Sequence, residues 1–262
     1  MTVGIALFAS VAVEVPLGTP GFNDAMLAAG EDPRYVGPVT LMQGVGLGLL
    51  AFALAALLRT PHERIHDVLG LRPASTALLA TAAIGGLLVW IWPSWLAAQL
   101  IAWTGFDSSV ASIGKLLSGP LSENWTMVLA VAIGAPVSEE LLFRGYLWRL
   151  VERASGSSIV AFALTTVLFA LYHVDPIHVV ALLPTAAFLG WLRLRSNSLW
   201  PAIIAHFVNN AAAVAIVQFF VEPEVGTGLS WLGLGLFLGV VGAGAWLSRS
   251  AVSEAPASPT HR

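Results

Sequence analysis

Two neighbouring glutamates and an arginine interrupt an otherwise apolar stretch of the chain, at Glu139, Glu140 and Arg144. Glu140 and Arg144 are four residues apart, so in a helix they lie on one face and can form an ion pair. Glu139 is rotated by about 100° from Glu140 and lies five residues from the arginine, which therefore serves it poorly. For the pair, a structural ion cluster and a role in chemistry both stay open. For Glu139 we favour chemistry.

Histidine and asparagine side chains occur on two later apolar segments. His173 ends the first of them, and His206 and Asn210 share a face of the second because they are four residues apart. Such groups are costly to leave without hydrogen-bond partners inside a bilayer. A lone histidine on an apolar helix is usually a satisfied core residue, but two histidines on separate helices and Glu139 on a third indicate a site. We interpret His178 as interfacial and without a function.

This set of side chains can hydrolyse an amide. A carboxylate beside a histidine can take the proton of a water molecule. A second histidine and an asparagine can donate hydrogen bonds to the oxyanion that forms when the water attacks a carbonyl. One glutamate and two histidines (Glu139, His173 and His206) can instead hold a divalent metal such as zinc with an open position. Both schemes use the same side chains, so the residues alone leave them open.

Three motifs on hydrophobic segments, in this order, resemble those of the CPBP family of intramembrane proteases. This family includes the CAAX proteases, is also called Abi, and is similar to type II CAAX prenyl endopeptidases. The matching motifs are Glu139-Glu140-x-x-x-Arg144, Phe169-x-x-x-His173 and His206-x-x-x-Asn210.

The resemblance implies a bundle of eight helices whose site lies within the membrane and opens to the cytoplasm. It implies that Glu139 and His173 activate the water, and that His206 and Asn210 stabilise the oxyanion. Glu140 and Arg144 would then be supporting residues. Members of the family have been called both metalloproteases and glutamate proteases. We favour metal-free activation, with zinc as the alternative cofactor.

The composition is that of an integral membrane protein. Hydrophobic residues make up 57% of the 262 residues and charged residues only 10%, whereas soluble domains carry about 25% charged residues. Cysteine is absent, which excludes a disulfide framework and thiolate metal ligands. No basic stretch is long enough to follow a phosphate backbone, so we expect no nucleic-acid partner.

The apolar segments predict an all-α, polytopic bundle with about eight transmembrane helices. We assign one transmembrane domain to residues 1–248, with the catalytic core at 125–220, and a disordered cytoplasmic tail to 249–262. The predicted spans are 3–18, 38–58, 76–102, 125–148, 158–173, 177–194, 200–220 and 229–248.

The basic residues predict the orientation. With the N-terminus in the cytoplasm, the outer loops hold only Arg34 and Lys115, and Arg144 lies inside a span. This asymmetry follows the positive-inside rule and predicts a multi-pass plasma-membrane (inner-membrane) protein with both termini in the cytoplasm. The inner loops would hold Arg59, Arg64, Arg72, Arg149, Arg153, Arg193, Arg195, Arg249 and Arg262.

The function predicted from these features is an intramembrane endopeptidase. It would cut a peptide bond of a membrane-anchored protein or peptide in the lipid bilayer, near the C-terminus of that substrate. A non-catalytic immunity or scaffold protein of the same fold is one alternative. A proton-coupled transporter is another, because intramembrane glutamate and histidine also serve as proton relays.

Overall fold

The computed structural model describes residues 32–106, 114, 116–219 and 226–253. The predicted first span, 3–18, lies outside these residues, as do residues 254–262 of the predicted tail. The helices are α1 (Pro33–Leu58), α2 (Ile65–Leu69), α3 (Thr76–Val89), α4 (Ile91–Thr104), α5 (Leu121–Ser155), α6 (Ser158–Leu171), α7 (Pro176–Ser196), α8 (Trp200–Phe219) and α9 (Thr227–Ser253).

The described residues contain no strand, and the predicted all-α polytopic fold is confirmed. Six described helical segments are long and apolar enough to cross a membrane, with α3 and α4 counted as one segment. The fifth predicted span, 158–173, is shorter than predicted, because α6 has only 14 residues. At 1.5 Å per residue it is about 21 Å long, less than the ~30 Å hydrocarbon core of a bilayer. The last helix continues to Ser253, five residues into the segment predicted to be disordered.

Local sequence explains where several helices begin and end. Asp32 accepts a hydrogen bond from the backbone N–H of Arg34 and caps α1, and Asp175 caps α7 through the N–H of His178. A short polar side chain before the first turn satisfies a backbone donor that the helix leaves unpaired. Helix α5 ends at Ser155, and the chain turns at Gly156, which has a φ of 69°.

Helix α5 lies at the centre of the bundle. In the apolar stretch of α5, 56% of the residues are buried. In the corresponding stretches of α1 and α9, only 17% are buried. It packs against α1 and α8, while α7 packs against α6 and α8. The largest apolar core joins α5, α6, α7 and α8 and includes Phe143, Phe169, Phe188, Leu189, Leu192 and Ala205. The outer helices therefore present mostly apolar side chains to the lipid, and α5 presents polar ones to the interior.

Helices α3 and α8 approach each other closely at Gly86. A Cβ atom at this position would lie 2.5 Å from the backbone oxygen of Ala205, so only glycine fits. Ala205 directly precedes His206, and this close approach therefore helps to set the position of the histidine.

We expect Gly86→Ala to destabilise the protein by about 1–3 kcal/mol, the usual effect of overpacking. Gly235→Ala on α9 is the matched control, because no atom of the described chain lies within 4 Å of a Cβ atom placed there. It should be neutral or slightly stabilising, since alanine favours a helix by up to about 1 kcal/mol over glycine. Thermal unfolding in detergent measures both. Equal melting temperatures for the two variants would contradict the close approach.

An ionic cluster joins the loop after α1 to the end of α5. Glu63 accepts hydrogen bonds from Arg153 at 2.5 and 2.6 Å and from Arg149 at 3.1 Å. Arg153 also donates to the backbone oxygen of Leu58. The Arg153 guanidinium, the Thr60 N–H and then Arg149 hold the pKa of the Glu63 carboxyl well below its ordinary value of 4.5.

Because the unfolded chain binds a proton at Glu63 near pH 4 and the folded chain does not, this cluster stabilises the protein above pH 4.5 and loses effect as the pH falls. Wild type should therefore melt at a lower temperature at pH 4 than at pH 7. Glu63→Gln should reduce that difference, measured by thermal unfolding at both pH values. Glu123→Gln, which changes an exposed carboxylate on α5, is the control. A Glu63 variant with the full wild-type difference would refute the assignment.

Candidate active site

The central helix α5 is not a regular α-helix where it carries the predicted site. Two π-helical turns, Ala130–Gly134 and Leu141–Leu147, flank the α-helical segment Ala135–Glu140. Pro136 lies at the start of that segment. A proline inside a helix lacks a donor and clashes with the carbonyl four residues earlier, and the wider turn before it accommodates the ring. Single π-helical turns are frequent at functional sites.

Glu140 is the centre of a buried polar cluster. Its Oε1 accepts a hydrogen bond from Arg144 Nη1 at 3.0 Å and lies 3.0 Å from His206 Nδ1. The side chains of Glu140 and Arg144 are fully buried. The geometry thus contains the ion pair predicted from the four-residue spacing, and it adds a second partner from α8.

Phe169 precedes His173 by one helical turn, and its ring contacts three side chains of the site. The Arg144 guanidinium carbon lies 4.2 Å from the centre of the Phe169 ring, a cation–π contact. The rings of His173 and His206 lie 5.2 and 5.6 Å from the same ring. Phe169 therefore packs between the arginine and both histidines.

His173 lies just beyond the end of α6, and its surroundings select one tautomer. Its Nδ1 is 2.9 Å from the backbone oxygen of Phe169. Because a carbonyl only accepts hydrogen bonds, the proton of a neutral His173 is on Nδ1, and Nε2 carries a lone pair. The next residue, Val174, has a φ of 56°, a strained conformation for a β-branched residue. This tight turn reverses the chain from α6 into α7.

The turn also brings His178 beside His173, a contact that the sequence analysis did not predict. The centre of its ring lies 4.8 Å from that of His173. His178 is half-buried, and its Nδ1 has no hydrogen-bond partner among the described residues. This contact does not bear on the depth of His178 in the membrane, and its interfacial position stays a prediction.

Glu139 lies on the same side of α5 as the histidine of α8. Its Oε2 is 4.0 Å from His206 Nε2, and the residue is only 1% exposed. Asn210, one turn further along α8, donates from Nδ2 to the backbone oxygen of Val131 in the first π-helical turn and accepts from Asn209. The structure thus brings Glu139 and His206 together, with His173 beside them across Phe169 and Asn210 one turn away.

Arg193 is a second buried polar residue that sequence reasoning missed. The positive-inside count placed it in an inner loop, but α7 continues to Ser196, and Arg193 is only 3% exposed. Its Nε donates to the backbone oxygen of Arg144. No spacing pattern in the sequence links these two residues, which are 49 positions apart.

The predicted metal ligands do not form a metal site in the described part of the chain. No group of three histidine, aspartate or glutamate side chains there is arranged to hold an ion. The donor types of Glu139, His173 and His206 suit zinc, which stays the alternative cofactor.

Arg144→Ala should strongly reduce the yield of folded protein, because it leaves Glu140 buried without its cation. Removing one partner of a buried ion pair costs about 3–5 kcal/mol. Adding Glu140→Gln to this variant should restore part of the stability, since the buried carboxylate that lost its partner is then removed as well. Size-exclusion profiles and thermal unfolding in detergent measure both variants. Wild-type yield and stability of Arg144→Ala would contradict the pairing.

Comparisons with known proteins address the same part of the chain. Residues 121–212 match the family model described as type II CAAX prenyl endopeptidase Rce1-like. The match runs from the start of α5 into α8 and contains all three motifs, which confirms the family predicted from them. No curated protein and no solved structure matches the chain significantly. Residues 121–212 are therefore similar to an Rce1-like domain.

Proposed function

We propose that this protein is an intramembrane endopeptidase that cuts a membrane-associated protein or peptide near its C-terminus. The observation that carries the proposal is the meeting of Glu139 and His206, 4.0 Å apart in a buried site. The imidazoles of His173 and His206 both contact the Phe169 ring. The match to a family of type II CAAX prenyl endopeptidases supports the same class of reaction.

Glu139 and His173 activate the water in this proposal. The water oxygen attacks the scissile carbonyl carbon while its proton passes to this pair, which acts as the general base. His173 is suited to the task because its Nδ1–H is held by the Phe169 carbonyl, which leaves the Nε2 lone pair as an acceptor. The same proton then passes to the amide nitrogen as the C–N bond breaks, and the amine leaves.

His206 and Asn210 stabilise the oxyanion. The Nδ1 of His206 carries a proton, because it faces the carboxylate of Glu140 at 3.0 Å and an ionised carboxylate only accepts. If Nε2 is to donate to the oxyanion, it must be protonated as well. The working form of His206 is therefore an imidazolium, whose charge Glu140 offsets. Asn210 donates one amide proton to Val131 and has a second for the oxyanion.

We propose that the chemistry is metal-free. The three predicted ligands, Glu139, His173 and His206, are not arranged around a common ion position in the described residues. The steps above therefore use the side chains alone, and chelation by EDTA should leave the activity unchanged.

We further propose that the protein lies in the plasma membrane with both termini in the cytoplasm. Six described helical segments can cross a bilayer, so a multi-pass membrane location and a lipid environment are well founded. The distribution of basic residues supports the orientation. Arg149 and Arg153, at the end of α5, lie on the cytoplasmic side in this arrangement.

Glu139→Gln should lower kcat by about 100-fold or more with little change in KM, because general-base catalysis contributes 10²–10⁴-fold. The probe is a farnesylated fluorogenic peptide ending in a CAAX sequence, because the matched family is described by that activity. The same peptide without the farnesyl group tests whether the lipid is needed. Cleavage is followed by fluorescence with purified protein in liposomes.

Glu123→Gln is the matched control, since it removes an exposed carboxylate from the same helix, and it should cleave like wild type. Undiminished cleavage by folded Glu139→Gln would end the proposal. If neither peptide is cut, membrane proteomes with and without the gene should be compared for a protein whose C-terminus shortens. Full rescue of a deletion phenotype by Glu139→Gln would favour the non-catalytic scaffold instead.

A further inference from the structure

Arg193 is a buried cation that the proposed reaction does not use. It lies in the last turn of α7 and is 3% exposed. Its Nη1 donates to Asn197 Oδ1 at 3.0 Å, and its guanidinium carbon lies 5.2 Å from the Trp148 ring. In the described part of the chain no ion pair includes Arg193. Its hydrogen bonds therefore go to neutral acceptors.

One of these acceptors is the backbone oxygen of Arg144, which accepts a hydrogen bond from Arg193 Nε at 3.0 Å. In the opposite direction, Arg144 Nη2 donates to the backbone oxygen of Ala186 on α7 at 2.9 Å. Ala186 and Arg193 are seven residues apart, two helical turns, so they lie on one face of α7. Two arginines thus join α5 and α7 reciprocally, and both bonds meet at Arg144.

The acceptor lies in the second π-helical turn, Leu141–Leu147. This turn also places the Arg144 side chain against Glu140 Oε1, the oxygen that faces His206 Nδ1. A shift of the Arg144 backbone would therefore move Glu140 and, through it, the imidazole of His206. The path from Arg193 to His206 consists of three consecutive polar contacts of 3.0 Å each.

The loop around α2 closes over this arginine. A Cβ atom at Gly70 would lie 2.7 Å from Arg193 Nη2, and Gly70 has a φ of 74°. The backbone oxygen of Gly70 accepts a hydrogen bond from the N–H of Leu199 at 2.7 Å. Glycine thus leaves room for the guanidinium and lets the chain cover it. Burying the charge of Arg193 in this way costs free energy. The planar guanidinium of arginine forms directional hydrogen bonds that the ammonium group of lysine cannot reproduce.

We propose that Arg193 is a positioning residue of the peptidase: by holding the Arg144 backbone it fixes, through Glu140, the orientation of His206. This inference rests on the proposed function, because it assigns Arg193 a role in that same site. It differs from a purely structural role, which would affect how much protein folds but not the turnover of each folded molecule.

The test compares Arg193→Gln and Arg193→Lys with Arg195→Gln. Arg195 is two residues further along α7, is more exposed, and donates to Ala245 and Ser248 on α9, so it is a matched control. With the farnesylated CAAX peptide in liposomes, we expect both Arg193 variants to lower kcat per folded molecule about 10-fold or more, since a charge-assisted hydrogen bond is lost. KM should stay within about twofold, as expected for a group that does not bind the substrate.

Two further measurements do not depend on activity. Hydrogen exchange of the backbone amides in 141–147 should accelerate in the Arg193 variants and not in Arg195→Gln. Nitrogen-15 NMR of labelled histidine should show a changed His206 ring signal in the same variants. These results would support the proposal even if the wild-type protein cuts neither peptide, an outcome that counts against the proposed function alone.

Arg193→Lys keeps the charge, and it decides the matter if Arg193→Gln does not fold. Folded Arg193→Lys with wild-type kcat, wild-type exchange in 141–147 and an unchanged His206 signal would overturn the proposal. So would a loss of activity in either variant that merely follows the loss of folded protein.

Discussion

The buried carboxylate of Glu140 is the constraint on which the rest of the site depends. Its side chain is fully excluded from solvent, where an unpaired ion is several kcal/mol less stable than in water. Arg144 and His206, from two different helices, meet the same oxygen atom at 3.0 Å. Arg144 pairs with the carboxylate within α5, and the contact with His206 sets the register of α5 against α8. The positions of the remaining side chains follow from that register.

The two π-helical turns of α5 provide backbone oxygens that bind side chains of neighbouring helices. The first, Ala130–Gly134, offers the Val131 oxygen to Asn210. The second, Leu141–Leu147, offers the Arg144 oxygen to Arg193. Both oxygens receive side-chain donors from neighbouring helices, so the irregular turns are satisfied inside the bundle. A regular helix would direct these oxygens along its own axis, and the contacts with α7 and α8 would be weaker.

The sequence predicts the parts of this arrangement that depend on spacing within one helix. The Glu140–Arg144 pair, the shared face of His206 and Asn210, and the all-α bundle follow from periods of about four residues and from hydropathy. The burial of Arg193 and the approach of His178 to His173 depend on where helices end and how they pack. An arginine near a predicted boundary counts equally well as a loop residue. The turn after α6 has a left-handed residue, Val174, with a φ of 56°, which no spacing pattern predicts. Residue counting therefore missed the burial of Arg193 and the contact between the two histidines.

Two adjacent carboxylates on one helix receive different surroundings, and this difference bears on which of them can act as a base. Glu140 faces an arginine and a histidine through a single oxygen, so its negative charge is held in place by two donors. Taking up a proton there would weaken both bonds and leave Arg144 buried beside a neutral acid. Glu139 is the adjacent residue on α5, and its Oε2 lies 4.0 Å from His206 Nε2. This distance is longer than a direct hydrogen bond, so both side chains can contact a reacting group. Protonation of Glu139 leaves the ion pair between Glu140 and Arg144 in place, and for this reason the proposed reaction assigns the base to Glu139 and not to Glu140.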